Sequence, residues 1–233
     1  MTLPSPNELK TKQSDISSYV GKLLRDHFGK GPGSVYVSIS DPFVTIYVKG
    51  FLSATERVLY SENHEKTLKK TRDFVMDKIG DEISAYIEEV TEISIEELYY
   101  DWSLENQSGM FLGVGSLSAE DSQDTFPGKD TVHDEVILMS EQVEKRPERI
   151  RSWKINSRTL IVLREGILVE IEKQLIKDGH REILRKSKDK IEKHMLNVKN
   201  ISSQIESEVE DYFIDWNFNK DQSYTVLILK PNE

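Results

Sequence analysis

The chain repeats itself, and that duplication limits what it can fold into more than any other feature. A stretch from Lys30-Gly31-Pro32 through Val35 to Ile39, Val44 to Val48 and Gly50-Phe51-Leu52 returns in eroded form as Lys145-Arg146-Pro147, Ile150 to Ile155 and Leu160 to Leu168. Gly50 recurs as Gly166 and His64 as His180, each 116 positions on, whereas Trp102 recurs as Trp216, 114 positions on. The second copy has therefore lost two residues within its long-helix region. Units of roughly 100 residues can bury about two thirds of their unfolded-chain surface, so each copy can hold its own core without disulfide or metal. The expected domains are residues 1–115, a polar linker over 116–130 and a second, degenerate repeat over 131–233.

Within each copy the periodicity spells out the elements. Ile16, Val20, Leu23, Leu24 and Phe28 recur at helical spacing, with Asn7 or Asp15 as the expected cap and Gly29, Gly31 and Pro32 as the stop. Val35, Val37 and Ile39 alternate with Tyr36 and Ser38, and Val44, Ile46 and Val48 alternate with Phe43, Thr45 and Tyr47. The turn at Ser40-Asp41-Pro42 is too short for a crossover, which makes the pair an antiparallel hairpin. Ser53 and Glu56 have the spacing of a capping box opening a short helix; Glu172 keeps the second half of that box in copy two. Long helices follow, about Glu65 to Val90 and Arg181 to Lys199, then two more strands ending each repeat. The expected fold is α+β: two tandem α-β-β-α-α-β-β repeats, each a four-stranded antiparallel sheet with its helices on one face. The other sheet face, bearing Tyr36, Phe43 and Tyr47, needs a cover, and the expectation is that the repeats pair intramolecularly as a pseudo-dimer.

Composition narrows the function classes. The formal net charge of −10 repels nucleic-acid backbones, so nucleic acid is not an expected partner. The absence of cysteine removes thiolate nucleophiles and cysteine metal sites. No run approaches the roughly 20 apolar residues that span a bilayer, and Met1 to Asn7 has no basic region before an apolar core, so a cytoplasmic place is expected.

Four features could carry function. His64 and His180 sit at helix entries with no second ligand at metal spacing, so no metal site is expected. Asp101-Trp102 and Asp215-Trp216 repeat, but alternation sends the indole to the core and the carboxylate to solvent or to the following turn. Gly29-Lys30-Gly31-Pro32-Gly33 leads into a strand and presents no helix amino terminus, which excludes a phosphate loop. Lys66, Lys69, Lys70 and Arg72 open one long helix, and Arg181, Arg185, Lys186, Lys188, Lys190 and Lys193 crowd the other. Cations near a helix start oppose its dipole, so they read either as a solvated face or as a partner surface. No nucleophile, base and oxyanion donors come together in the pattern, and neither an enzyme nor a cofactor is expected.

The Lys30-Gly31-Pro32 turn, Gly50-Phe51-Leu52-Ser53-Ala54-Thr55-Glu56 with Leu59, and the long helix with Arg72 resemble the bacterial YbcI-like family, also called the MpsC-like domain. The likeness is close over about residues 14 to 115 and loose over 131 to 230. It implies an accessory role beside a membrane cation or bicarbonate transport complex, peripheral at the inner membrane face, with a transporter subunit as protein partner. Copy two departs at Lys145-Arg146-Pro147 and at the capping box, so a site on those residues is expected in copy one alone. The candidate interaction residues are then Lys30, Gly31, Pro32, Glu56, Arg72, Arg181, Arg185 and Lys186. The alternative function is a ligand-sensing regulatory module with a pocket between the repeats near Tyr36, Tyr47 and Trp102.

Overall fold

The computed structural model describes residues 5–117 and 125–231. The chain divides into two compact units, Met1–Ala119 and Glu120–Glu233. Residues 118–124 of the expected linker lie outside the described residues. Its far end does not behave as linker: Phe126 is buried in the second core, and the helix that opens that unit begins at Lys129.

In the first unit α1 (Pro6–Phe28) precedes the hairpin β1 (Ser34–Ser40) and β2 (Phe43–Lys49), then α2 (Ala54–Ser61), α3 (Glu65–Thr91), β3 (Glu97–Ser103) and β4 (Ser108–Val114). The cap of α1 is Ser5, not Asn7 or Asp15. Its hydroxyl accepts from the Glu8 amide and the Glu8 carboxylate accepts from the Ser5 amide, a complete capping box. Gly29 closes the helix at φ 72°, a conformation that glycine adopts without a Cβ penalty. The predicted Ser53–Glu56 box is also complete and starts α2.

The four strands are all antiparallel, in the order β1-β2-β4-β3. Val44, Ile46 and Val48 project to the helix side, where they meet Ile16, Val20 and Leu24 of α1 and Met76, Ile79, Ile83 and Ile87 of α3. This is a two-layer α+β unit, as the alternation implied.

The second unit repeats the plan with α4 (Lys129–Val143), β5 (Arg149–Lys154), β6 (Thr159–Glu165), α5 (Glu170–Lys177), α6 (Arg181–Met195), α7 (Val198–Gln204), β7 (Val209–Asn217) and β8 (Gln222–Leu229). Its sheet order, β5-β6-β8-β7, is the same with the strands renumbered. The single helix expected to reach Lys199 is broken at Leu196 and Asn197, because Leu196 takes an extended backbone and Asn197 caps a new helix through Asn200. This break falls in the stretch where the two residues are missing.

Candidate functional site

Three of the candidate residues converge on one junction of the first unit. After β2 the chain turns at Gly50 (φ 64°) and enters α2, leaving the carbonyls of Phe51 and Leu52 outside any ladder. Arg72 of α3 donates to the Phe51 carbonyl through Nη2 at 2.8 Å and to Glu56 through Nε at 2.7 Å. Lys30 donates to the Leu52 carbonyl at 3.1 Å. Arg72 is 1 % exposed, so it is no part of a basic surface. It sits inside, because the turn carbonyls and Glu56 supply the acceptors that a buried guanidinium requires.

Aromatic faces complete its surroundings, with the guanidinium carbon 4.5 Å from the centre of the Trp102 ring, 4.9 Å from Phe51 and 5.9 Å from Phe28. Burial pushes the Glu56 carboxyl up, but the bond and charge of Arg72, with the Ser53 amide, outweigh it and hold Glu56 below its ordinary value. Gly31 lies against the Arg25 side chain and the Gly21 carbonyl, where an added Cβ would stand 3.1 and 3.2 Å away. Pro32 follows Gly31 directly in the turn that carries the chain from α1 to β1. The junction thus explains the signature residues as the clasp joining α1, α2, α3 and the sheet.

The other candidates are dispersed. Arg181 bonds Asn219 and lies over the Phe218 ring, Arg185 pairs with Asp215 at 3.0 Å, and Lys186 meets Glu182 at 3.5 Å on the exposed side of α6. Two of these three cations are therefore held to the β7–β8 end of the sheet. Tyr36 and Tyr47 are register partners with ring centroids 6.1 Å apart, on the face away from the helices. Trp102 is on the helix face, against Phe28, Phe51 and Phe111. Strand alternation thus separates Trp102 from the tyrosines, and the three do not come together. Asp101 and Asp215 are buried, not turned to solvent, each accepting from the backbone amide of the tryptophan that follows it. His64 and His180 occupy helix N-cap positions. Among the described residues no group of three His, Cys, Asp or Glu is placed to hold a metal ion.

The sequence reading missed the densest cluster of charge. In the second unit Arg164, fully buried, donates to Ser223 at 2.8 Å, to Glu144 at 3.2 Å and to Glu192. Lys188 reaches Glu172 at 3.2 Å, Glu192 at 3.3 Å and Glu144, and the Trp216 indole donates to Glu192 at 3.1 Å. Burial lowers the Lys188 pKa, against the pull of Glu192, and burial raises that of Glu172. The signal was there in the repeat itself. Glu144, Arg164 and Glu192 stand 116 positions after Phe28, Val48 and Met76, so charge falls on three positions of the first unit's core.

The chain belongs to the MpsC family. It matches over residues 8–114 and 135–231, and the family is described as the Na+-translocating membrane potential-generating system (MpsC). Both repeats of this MpsC chain are thus covered, the degenerate one included. No curated protein sequence matches it, and no solved structure does.

Proposed function

We propose that the protein is a non-enzymatic accessory component of a Na+-translocating, membrane potential-generating system, held at the cytosolic side through a membrane-embedded partner. The match of both repeats to the MpsC family carries this reading. Among the described residues no helix is long and apolar enough to cross a membrane, so the proposed membrane association runs through docking. The clustered charges support a structural duty. Glu56 with Arg72, and Glu144, Glu172 and Glu192 with Arg164 and Lys188, are spent on one another inside the two cores.

The test is affinity capture of the tagged full chain from detergent-solubilised native membranes, at low and high salt, with the captured proteins identified by mass spectrometry. A membrane-embedded ion-transport subunit retained at low salt and released at high salt is the expected result. Recovery of soluble proteins alone, or of nothing, overturns the reading. Charge reversal at Lys186, on the exposed side of α6, measures whether that helix contributes to capture.

A further inference from the structure

The first unit carries a groove that none of the candidate residues line. It lies between α3 and β3, encloses about 440 Å³, and has Asp77, Gly80, Asp81, Glu96, Glu97 and Leu98 in its walls. Asp77 and Asp81 are one helical turn apart, and like charges at that spacing weaken a helix. Glu96 and Glu97 add two more carboxylates from the start of the edge strand. The Asp77–Asp81 spacing therefore adds nothing to the stability of α3.

The second unit carries different residues at the aligned positions. Leu196 aligns with Gly80 but lies just past the end of α6, buried within the core, and Asn197 aligns with Asp81. Lys193 replaces Asp77 and is paired with Asp189 at 2.6 Å, while Tyr212 replaces Leu98 and donates to the Lys193 carbonyl at 2.8 Å. In the first repeat a glycine and carboxylates line the groove. In the other a leucine and a tyrosine stand at the aligned positions, and a lysine changes the sign.

We propose that this groove is a docking site for a Lys/Arg-rich peptide segment of a partner protein. Lysine and arginine lay an apolar stem along a surface while their charged head seeks carboxylates, which fits a groove lined by Leu98 and by acids. The assignment rests on the accessory reading above and names the partner surface. Cytoplasmic loops of membrane proteins carry an excess of lysine and arginine, so a cytosolic subunit docking there meets basic peptide. A chain of net charge −10 is drawn to such a surface at long range, and the groove supplies the local register.

Fluorescence anisotropy of fluorescein-labelled octa-arginine, titrated with the full chain, tests it. The variants are Gly80→Leu, which puts a bulky side chain into the groove wall, Asp77→Asn with Asp81→Asn, and Glu208→Gln as an acidic control in the second repeat. Thermal melts confirm that each is folded. At least a tenfold loss of affinity in both groove variants, with less than twofold change in the control, is the expected result. Unchanged binding by Gly80→Leu overturns the proposal, and so does an equal loss in all three variants, which would mean diffuse attraction to an acidic chain. Binding of spermine with no binding of the peptide also overturns it. Groove variants that lose the peptide yet capture the membrane subunit as the parent does would overturn the groove as the docking site and leave the accessory reading standing. Peptide binding in a chain that captures no membrane subunit would do the reverse.

Discussion

The two repeats bury a cation at the same place in the fold and neutralise it by different chemistry. Arg72 in the first faces one carboxylate, a backbone carbonyl and three aromatic rings. Lys188, its counterpart, faces three carboxylates, and a second cation, Arg164, has entered where the first repeat has Val48. The exchange is coordinated across four elements, since Phe28, Val48, Met76 and Gly109 correspond to Glu144, Arg164, Glu192 and Ser223. The registers agree, with Val48 opposite Gly109 and Arg164 opposite Ser223. At Gly109 a Cβ would fall 2.3 Å from the Trp102 ring, so a serine fits there only if the indole moves. In the second repeat the indole donates to Glu192, whereas the buried Trp102 Nε1 has no hydrogen-bond partner. One core therefore relies on apolar and aromatic burial, and the other on a closed polar network whose members are interdependent.

That interdependence gives the largest expected effect. Arg164→Ala strands Glu144 and Glu192 as buried charges with one cation fewer, which costs about 3–5 kcal/mol. Denaturant unfolding should show the second repeat melting well before the first. Replacing the set together, as Glu144→Phe, Arg164→Val, Glu192→Met and Ser223→Gly, should be neutral or stabilising by about 1–4 kcal/mol. If the fourfold variant is as unstable as Arg164→Ala, the repeats are not interchangeable and the comparison breaks.

The next effect lies in the first repeat. Arg72→Lys imports the second repeat's choice of cation into an aromatic setting. One ammonium cannot hold the geometry of Nε on Glu56 and Nη2 on the Phe51 carbonyl together, so a buried acceptor goes unpaired at about 1–3 kcal/mol. Urea unfolding that shows no loss would mean the planar fork of Arg72 contributes nothing that a point charge cannot.

The two glutamates sharpen the contrast further, because their pKa values move in opposite directions. Glu56 is depressed, so its contribution is complete above the ordinary glutamate pKa of about 4.3 and is lost as pH falls through its lower folded value. Glu172 is raised, so the folded second repeat takes up a proton above that ordinary value and gains relative stability as pH falls through it. Carboxyl carbon NMR should find Glu172 titrating above Glu56. Coincident or reversed titrations would contradict the two environments described.

Periodicity, hairpin spacing and the capping box were readable because each is written in neighbouring residues. Val44, Ile46 and Val48 had to share a face once a strand was assumed, and Ser53 with Glu56 had to cap once a helix followed. The duplication made the second sheet readable through the first. What escaped were properties of residues far apart in sequence. Arg72 looked like one of four surface cations because helix spacing does not tell which of them meets Glu56 and the Phe51 carbonyl across a turn. Arg164 and Glu192 escaped because the partners of Arg164 are 20 to 59 residues away, and only the alignment of the two repeats puts their charges on core positions. The break at Leu196 was hidden for a similar reason: a leucine favours helix locally, and its burial in the core decides otherwise.

The smallest expected effect bears on that same position. Gly80 lies inside α3, where glycine costs about 0.8–1 kcal/mol relative to alanine through the backbone freedom it surrenders. A Cβ there would find its nearest neighbour, Leu98 Cδ2, at 3.6 Å, an ordinary contact. Gly80→Ala should therefore stabilise the first repeat by up to about 1 kcal/mol, measured as a shift of its denaturant midpoint with an unchanged slope. A gain would show that the glycine is not required by the fold and that the open groove beside it is kept at the expense of helix stability. A loss would show that α3 needs the missing side chain for packing, and the difference between Gly80 and Leu196 would then reflect two ways of fitting a helix to a sheet.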